Sequence, residues 1–336
     1  MYRVAMSLLL LALGLGAFVA GPARASAEVP RVDCDNYREH FAPGSVVARR
    51  FAEVCGDDIE RPVPAPSPVP APPPARNAEF EQLRATIAER IAGYRIPGQY
   101  AVAVTDLQTG ETMSVGGDRL QLAGCSINFF LLMQASLDVQ RGRYPEARVG
   151  ELIQSTAYYS SAARGLDLYA VVGNGDPFGG IRSVRGLIAS MGLSQTVLDH
   201  APGYISSGSV ARSDNYMTAD ESNRALAQLW AGSVLAPEWR DYLLTKMGNI
   251  KPGLNYLTAY GIGGVSSHKN GFFPVPSGSG SWVDNDIGIV RFEQDGVTRA
   301  YAISFFSQQV TQKYGSLGLF QPISELVWQY FSRKYS

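Results

Sequence analysis

The sequence predicts one domain of mixed α/β structure, of the α+β type, over residues 77–336, with a mainly antiparallel sheet. Short apolar strands are predicted at both ends of this stretch, and segments with helical periodicity lie between them. Strands at both ends with helices between them favour a single sheet that both ends of the domain build and that helices flank.

The first elements follow from the pattern of apolar residues. Residues 79–94 have apolar side chains at helical spacing, which predicts an amphipathic helix. Residues 100–105 predict a strand, and the turn at 106–110 leads into a second strand at 111–115. Residues 126–140 are apolar almost all round, which is typical of a buried central helix.

The middle of the domain is predicted to be helical and its C-terminal part to return to strands. Further helices are predicted at about residues 148–157, 181–191, 218–231 and 237–247. The C-terminal strands are predicted at 264–269, 286–293 and 299–307, before a last amphipathic helix at 322–335.

Composition narrows the class of protein. The 336 residues, 46% of them hydrophobic, suffice for one large domain or two smaller ones. The 29 basic and 30 acidic residues nearly cancel, and a nucleic-acid binder usually shows a basic stripe, so no nucleic acid is expected as a partner. Three scattered histidines and no Cys/His cluster predict no metal, and no cofactor is expected.

The N-terminus predicts export. A positive charge at Arg3, an apolar run over residues 4–20 and small residues up to Ala27 are the three parts of a secretory signal peptide. A retained membrane anchor is the alternative, because the apolar run approaches the roughly 20 residues that span a bilayer. No basic cluster follows the apolar run to stop its transfer, which favours cleavage of the signal peptide. The mature protein is then expected to have no stable membrane span and to be secreted or periplasmic.

Two short regions precede the main domain. Residues 28–61 form a small segment whose Cys34 and Cys55 are expected to pair, because disulfides persist in exported proteins. Residues 62–76 are Pro-rich and predict a semi-rigid polyproline II spacer, with an unconstrained linker as the alternative. Cys125 is left as an odd thiol.

Three stretches of the main domain carry a family resemblance. They read AVAVTDLQTGETMSVGGDRLQLAGCSINFFLLMQASLDVQRG, then NYMTADESNRALAQLWAGSVLAPEWRDYLLTKM, and last GGVSSHKNGFFPV followed by DNDIGIVRF and AYAISFFS. In this order and spacing they resemble the superfamily of class A β-lactamases and penicillin-recognising serine hydrolases over residues 80–335. The resemblance implies a β-lactamase/transpeptidase-like fold, in which a helical subdomain accompanies the sheet.

The resemblance places the family's Ser-x-x-Lys motif on AGCSINFF, where Cys125 takes the serine position and Asn128 the lysine position. Residues three apart share a helix face, so the family's lysine can take the proton of its serine. Asn can form hydrogen bonds but takes no proton at neutral pH. Making Ser126 the nucleophile does not restore the motif, because Phe129 then holds the base position.

Two interpretations of Cys125 remain open. A thiol at a helix N-terminus, with Lys269 across the cleft as the resemblance implies, is a reasonable nucleophile without a lysine base. Alternatively, Cys125 fills the core as a small apolar residue, which is how free Cys usually behaves. A dyad of Cys125 with His200 is a weaker alternative.

The second family motif, Ser-Asp-Asn, is incomplete. Counting back from Gly173 puts Ser160 on its serine, whereas counting forward from residue 152 puts Thr156 there, and its Asp and Asn are missing either way. The string SDN at residues 213–215 is interpreted as a helix cap. The omega loop, between about 198 and 215, contains no Glu, so efficient β-lactam turnover by the class A route is not expected.

The third motif survives as Lys269-Asn270-Gly271, which matches Lys-Thr/Ser-Gly. Its Lys can hold a substrate carboxylate, and Gly lets backbone approach a ligand closely. Asn128, Ser160, Asn270 and Gly271 are thus predicted to bind substrate, beside Cys125 and Lys269 as catalytic residues. The alternative for Lys269 is an ordinary surface lysine. Strand alternation points the neighbouring His268 to the opposite face.

Two functions follow. One is an exported hydrolase or acyltransferase that uses Cys125 on β-lactam or peptidoglycan-type acyl substrates. The other is a catalytically silent binding or scaffolding pseudoenzyme at the cell envelope, because the lysine base, the Asp-Asn pair and the omega-loop Glu are all missing. A small molecule or a cell-wall peptide is the expected ligand in both cases.

Overall fold

The computed structural model describes residues 77–203, 214–275 and 281–336. The predicted signal peptide, the segment with Cys34 and Cys55, the Pro-rich linker and most of the predicted omega loop lie outside these ranges. Within them, no helix is long and apolar enough to cross a membrane, and no group of three or more His, Cys, Asp or Glu residues could hold a metal ion.

One antiparallel sheet of five strands organises the domain. The strands are β1 (Gln99–Asp106), β2 (Thr112–Val115), β3 (Gln121–Leu122), β4 (Tyr216–Met217), β5 (Val265–Pro274), β6 (Trp282–Gln294) and β7 (Val297–Gln308). The sheet has the order β2-β1-β7-β6-β5, while β3 and β4 form a separate pair. Because β1 pairs with β7, both ends of the domain build the sheet, as the sequence predicts.

Helices cover both faces of the sheet. They are α1 (Ala78–Ala92), α2 (Asn128–Gln140), α3 (Glu146–Tyr159), α4 (Ala162–Val172), α5 (Pro177–Ser190), α6 (Ala219–Trp230), α7 (Pro237–Gly248) and α8 (Leu317–Lys334). The side chains of β1 divide between the two cores. Ala101 and Ala103 belong to the core with α2 to α7, whereas Val102 and Val104 belong to the core with α1 and α8. The predicted fold class is confirmed.

Three elements differ from those predicted. Helix α4 was not predicted, because its start, Ser-Ser-Ala-Ala, is rich in small residues; Ser161 caps it by accepting from the N–H of Arg164. Helix α8 begins at Leu317 rather than at Pro322, whose missing N–H removes one hydrogen bond of the helix. Strand β5 continues past Lys269 to Pro274, so the third motif lies within a strand.

Candidate active site

Cys125 lies in a 3-10 turn, Gly124–Ile127, that leads directly into the buried helix α2. Its thiol is free and partly exposed. Strand β5 passes very close to this turn, since a Cβ atom on Gly271 would lie 2.7 to 2.8 Å from backbone atoms of Ala123, Cys125 and Ser126. The close backbone approach that the sequence predicts at Gly271 is therefore made here to the turn that carries Cys125.

Lys269 is fully buried, on the face of β5 that looks towards Cys125. Its ammonium donates hydrogen bonds to the hydroxyl of Ser160 and, at 2.8 Å, to the carbonyl oxygen of Asn270. Burial lowers the pKa of Lys269 to about 8, and negative charge on Cys125 and Asp286 opposes that shift. The lysine is an internal group that can change its protonation near neutral pH, rather than a surface lysine.

Ser160 joins α3 to α4 and lies half-buried beside Lys269. Its backbone is left-handed, with φ of 51°, which is uncommon for a residue with a side chain. Its hydroxyl donates to the carbonyl oxygen of Asn270 at 3.2 Å. Of the two alignments that the sequence leaves open, the structure brings Ser160 to Lys269, whereas Thr156 is buried in α3 with no partner for its hydroxyl among the described residues.

Asn128, which the resemblance places at the family's lysine, is completely buried at the start of α2. Neither polar atom of its side chain has a hydrogen-bond partner in the described part of the chain. Its amide lies against α4, because a Cβ atom on Gly165 would be 3.0 Å from Asn128 Nδ2. One turn along α4, the hydroxyl of Tyr169 is buried and likewise without a described partner. Burial raises the pKa of Tyr169, and negative charge on Cys125 raises it further.

The side chains of Asn270, in the third motif, and of its neighbour His268 lie on the other face of β5. The side chain of Asn270 donates to the carbonyl oxygen of Leu254 at 3.5 Å, so only its carbonyl group faces Lys269 and Ser160. His268 is buried on the same far face, where its ring nitrogens lie 2.7 Å from Asp286 and 2.9 Å from Asn255. The orientation of His268 follows the strand alternation that the sequence predicts.

His200 and the string at 213–215 contact each other rather than Cys125. The described polar contacts of the His200 ring are with the carbonyl oxygen of Ala201, at 2.9 Å, and with Asp214, at 3.7 Å, and none joins it to Cys125. Asn215 donates to the carbonyl oxygen of His200 at 2.9 Å, whereas Thr218 caps α6. The interpretation of SDN as a helix cap is therefore wrong, since Asn215 ties the chain around residue 200 to β4.

One positioning residue escaped the sequence reasoning. Asn285 lies in β6 and donates to the carbonyl oxygens of Leu122 and Ala123, at 2.7 and 3.1 Å. Its oxygen accepts from the N–H of Ser307 in β7 at 3.0 Å. Asn285 thereby fastens the approach to the Cys125 turn onto the sheet. The signal was the run of three polar residues, 284–286, that begins the strand sequence DNDIGIVRF.

A comparison with known families agrees with this architecture. Residues 175–331, just under half of the chain, match the β-lactamase enzyme family. The matched range contains Lys269 but begins after Cys125 and Ser160. No curated protein matches the chain by sequence.

Solved structures show the same fold. TLA-1 extended-spectrum β-lactamase is 16% identical, with a TM-score of 0.63 over 75% of this chain and 98% of the other. A β-lactamase from Chitinophaga pinensis is 20% identical, with a TM-score of 0.62 over 74% of this chain and 99% of the other. PBP-A is 19% identical, with a TM-score of 0.61 over 78% and 100%. The predicted resemblance to this superfamily is confirmed.

Proposed function

We propose that this β-lactamase-like domain transfers acyl groups from β-lactams or peptidoglycan-type peptides, with Cys125 as the acyl acceptor. One observation carries the proposal: strand β5 brings the buried Lys269 to the face that looks towards Cys125, where a Cβ atom on Gly271 would lie 2.8 Å from the backbone nitrogen of Cys125. The thiolate is the nucleophilic form of a cysteine, and a nearby cation stabilises a thiolate. A thiolate needs no separate base, so a neutral Asn128 in the lysine position is compatible with acylation.

In the proposed reaction the sulfur of Cys125 attacks the carbonyl carbon of the ligand. A C–S bond forms, the C–N bond of the ligand breaks, and the leaving nitrogen takes a proton from Lys269, directly or through Ser160. Water then hydrolyses the thioester and regenerates the thiol. Because the omega-loop sequence contains no Glu to activate that water, the thioester is expected to be long-lived.

In this proposal Lys269 acts on a substrate carboxylate indirectly, through Ser160. The ammonium is fully buried and already donates to two oxygens, whereas the Ser160 hydroxyl is partly exposed. A carboxylate in the cleft is then bound by Ser160, whose hydroxyl Lys269 orients, and by the charge of Lys269 behind it.

A second candidate is a catalytically silent binding or scaffolding domain. The observation that favours it is the fully buried, unpartnered amide of Asn128 among the described residues, in the position where the family holds a base. In either case we propose an exported protein, secreted or periplasmic, on the strength of its N-terminal sequence.

The test is the intact mass of the purified protein after incubation with a penicillin, followed by peptide mapping. An adduct on the peptide that contains Cys125, lost in Cys125→Ala, supports acyl transfer. The matched variant Cys125→Ser keeps a small polar side chain and should react far more slowly, because a hydroxyl without a base is a weak nucleophile.

The opposite result favours the second candidate. If no β-lactam of a varied set labels Cys125 and no wall-peptide ester or thioester is turned over, the acyl-transfer proposal is lost. Saturable binding of a penicillin or a muropeptide without any covalent product would then identify a binding domain.

A further inference from the structure

In the structure, a hydroxyl and an amine lie together at a position other than the Ser-x-x-Lys motif, where the resemblance places the nucleophile and its base. At that motif, Cys125 is followed by a buried amide, Asn128, which cannot take a proton. Ser160, by contrast, has its hydroxyl hydrogen-bonded to the amine of Lys269. An alcohol needs an adjacent base to become nucleophilic, and Ser160 has one.

We propose that Ser160 is itself an acyl-accepting nucleophile, with Lys269 as its general base, independently of whether Cys125 is acylated. The class of substrate is an activated carbonyl compound, such as a β-lactam or an ester of a wall peptide. This assignment goes beyond the function proposed above, in which Ser160 only binds the ligand and passes a proton.

The backbone around Ser160 supports this role. Ser160 is the left-handed residue between α3 and α4, and Ser161 immediately begins the next helix as its cap. Uncommon backbone conformations of this kind cluster at functional sites, where the surrounding structure holds them. The two helices fix the hydroxyl beside Lys269 at a corner that is partly exposed to solvent.

Besides its contact with Ser160, a base must be able to lose its proton near neutral pH, and burial gives Lys269 this property. Its side chain is fully buried, and this lowers its pKa to about 8, so an appreciable fraction of the amine is neutral near neutral pH. The charged groups that act on it are Cys125, from the turn before α2, and Asp286, from β6, and both favour the ammonium.

The reaction step conserves atoms and charge. The neutral amine of Lys269 takes the hydroxyl proton of Ser160, which the carbonyl oxygen of Asn270 accepts in the resting arrangement. The Ser160 oxygen attacks the carbonyl carbon of the substrate and forms a C–O bond. The C–N or C–O bond to the leaving group breaks, and the leaving group takes the proton from Lys269. Water later hydrolyses the ester.

The experiment uses two probes, a fluorophosphonate and a penicillin, with peptide mapping of the full-length protein. The expected result is a label on the Ser160 peptide in the wild type and in Cys125→Ala. The label should be lost in Ser160→Ala and in Ser160→Gly, and should fall at least tenfold in Lys269→Met and Lys269→Arg. Ser160→Gly guards against misfolding, because glycine adopts a positive φ without strain.

Ser161→Ala is the matched control, since Ser161 is the neighbouring hydroxyl and has no described contact with Lys269. Its protein should label on Ser160 like the wild type. The proposal fails if folded wild-type protein and Cys125→Ala carry no label on Ser160, or if that label survives in Lys269→Met.

The peptide maps also separate this proposal from the preceding one. A label on Cys125 alone retains the thiol as acyl acceptor and removes Ser160. A label on Ser160 alone does the reverse. Labels on neither peptide overturn both assignments.

Discussion

The two faces of strand β5 differ in how completely their buried polar groups are hydrogen-bonded. On the far face, His268 contacts Asp286, and Asp286 also accepts from the backbone N–H and the hydroxyl of Thr258, at 3.0 and 2.9 Å. On the face towards Cys125, Lys269 has two acceptors, but Asn128 and Tyr169 nearby have no described hydrogen-bond partner.

This difference indicates a structural role for the far face and a functional role for the face towards Cys125. Buried polar groups are normally paired, and an unpaired one costs stability unless something else accounts for it. The far-face network is saturated and holds residues 254–258 against the sheet. The cleft face is unsaturated, which is expected where ligand or water makes the missing hydrogen bonds, or where a catalytic group has been replaced.

The largest expected effect comes from breaking the saturated face. Asp286→Ala leaves His268 and Thr258 without their acceptor inside the core, so the free energy of unfolding should fall by about 3–5 kcal/mol. Urea unfolding at neutral pH measures this. Asp295→Asn, in the exposed turn after β6, is the control and should change stability by less than about 0.5 kcal/mol. Similar values for both variants would contradict the contrast between the faces.

A pH effect is expected from Asp284, also on the far face. It accepts from Tyr256, at 2.8 Å, and from Ser316, at 2.5 Å, but burial outweighs these bonds and raises its pKa from 3.8 to about 6. The folded state therefore binds this proton more tightly than the unfolded chain. The contribution is complete below about pH 4 and is lost as the pH rises through about 6.

Asp284→Asn removes this titration while keeping a hydrogen-bonding side chain. Between pH 4 and pH 7, the wild type should lose about 2–3 kcal/mol of stability relative to the variant. Urea unfolding of both proteins at several pH values measures the difference. Parallel curves would show that Asp284 does not titrate in this range.

On the cleft face, the pH dependence of Ser160 labelling reports the protonation of Lys269. Below about pH 8 the labelling rate should rise roughly tenfold per pH unit and then level off, because only the neutral amine is a base. In Lys269→Met, which lacks the amine, the labelling rate should stay low across the whole range. Stopped labelling reactions with a fluorophosphonate measure both profiles, and a flat profile in the wild type would contradict the role of Lys269.

The smallest effect comes from a matched pair of tyrosines. Tyr169→Phe removes a buried hydroxyl without a described partner, so stability should rise by up to about 1 kcal/mol. Tyr256→Phe removes a hydroxyl that donates to Asp284, so stability should fall by about 1–3 kcal/mol. Thermal unfolding compares the two, and a loss of stability in Tyr169→Phe would indicate an ordered partner for its hydroxyl.

Much of the fold could be predicted because local patterns and tertiary structure agree. The strands of β1, β6 and β7 are buried on both faces, so their apolar runs are unambiguous. Helix α4 could not be found in the same way, because its first turn is made of small residues and its cap, Ser161, follows another serine.

The sequence indicated which segments carry the candidate site residues, but it indicated less well where their side chains point. The family resemblance put Cys125 and Lys269 on facing elements, but it could not choose between Ser160 and Thr156, since the register depends on where α3 ends. The alternation that placed His268 on the far face applies equally to the side chain of Asn270, which was predicted to bind substrate. The burial of Lys269 depends on residues distant in sequence, and no local pattern reports it.

The pairing of β1 with β7 has a consequence for how the protein is made. Residues 99–106 must wait for residues 301–308 before their hydrogen bonds can close, a separation of most of the domain. Such high contact order slows folding. A nascent chain that still lacks β7 cannot complete its central sheet. The topology therefore postpones the final collapse of the domain until nearly every element has been synthesised.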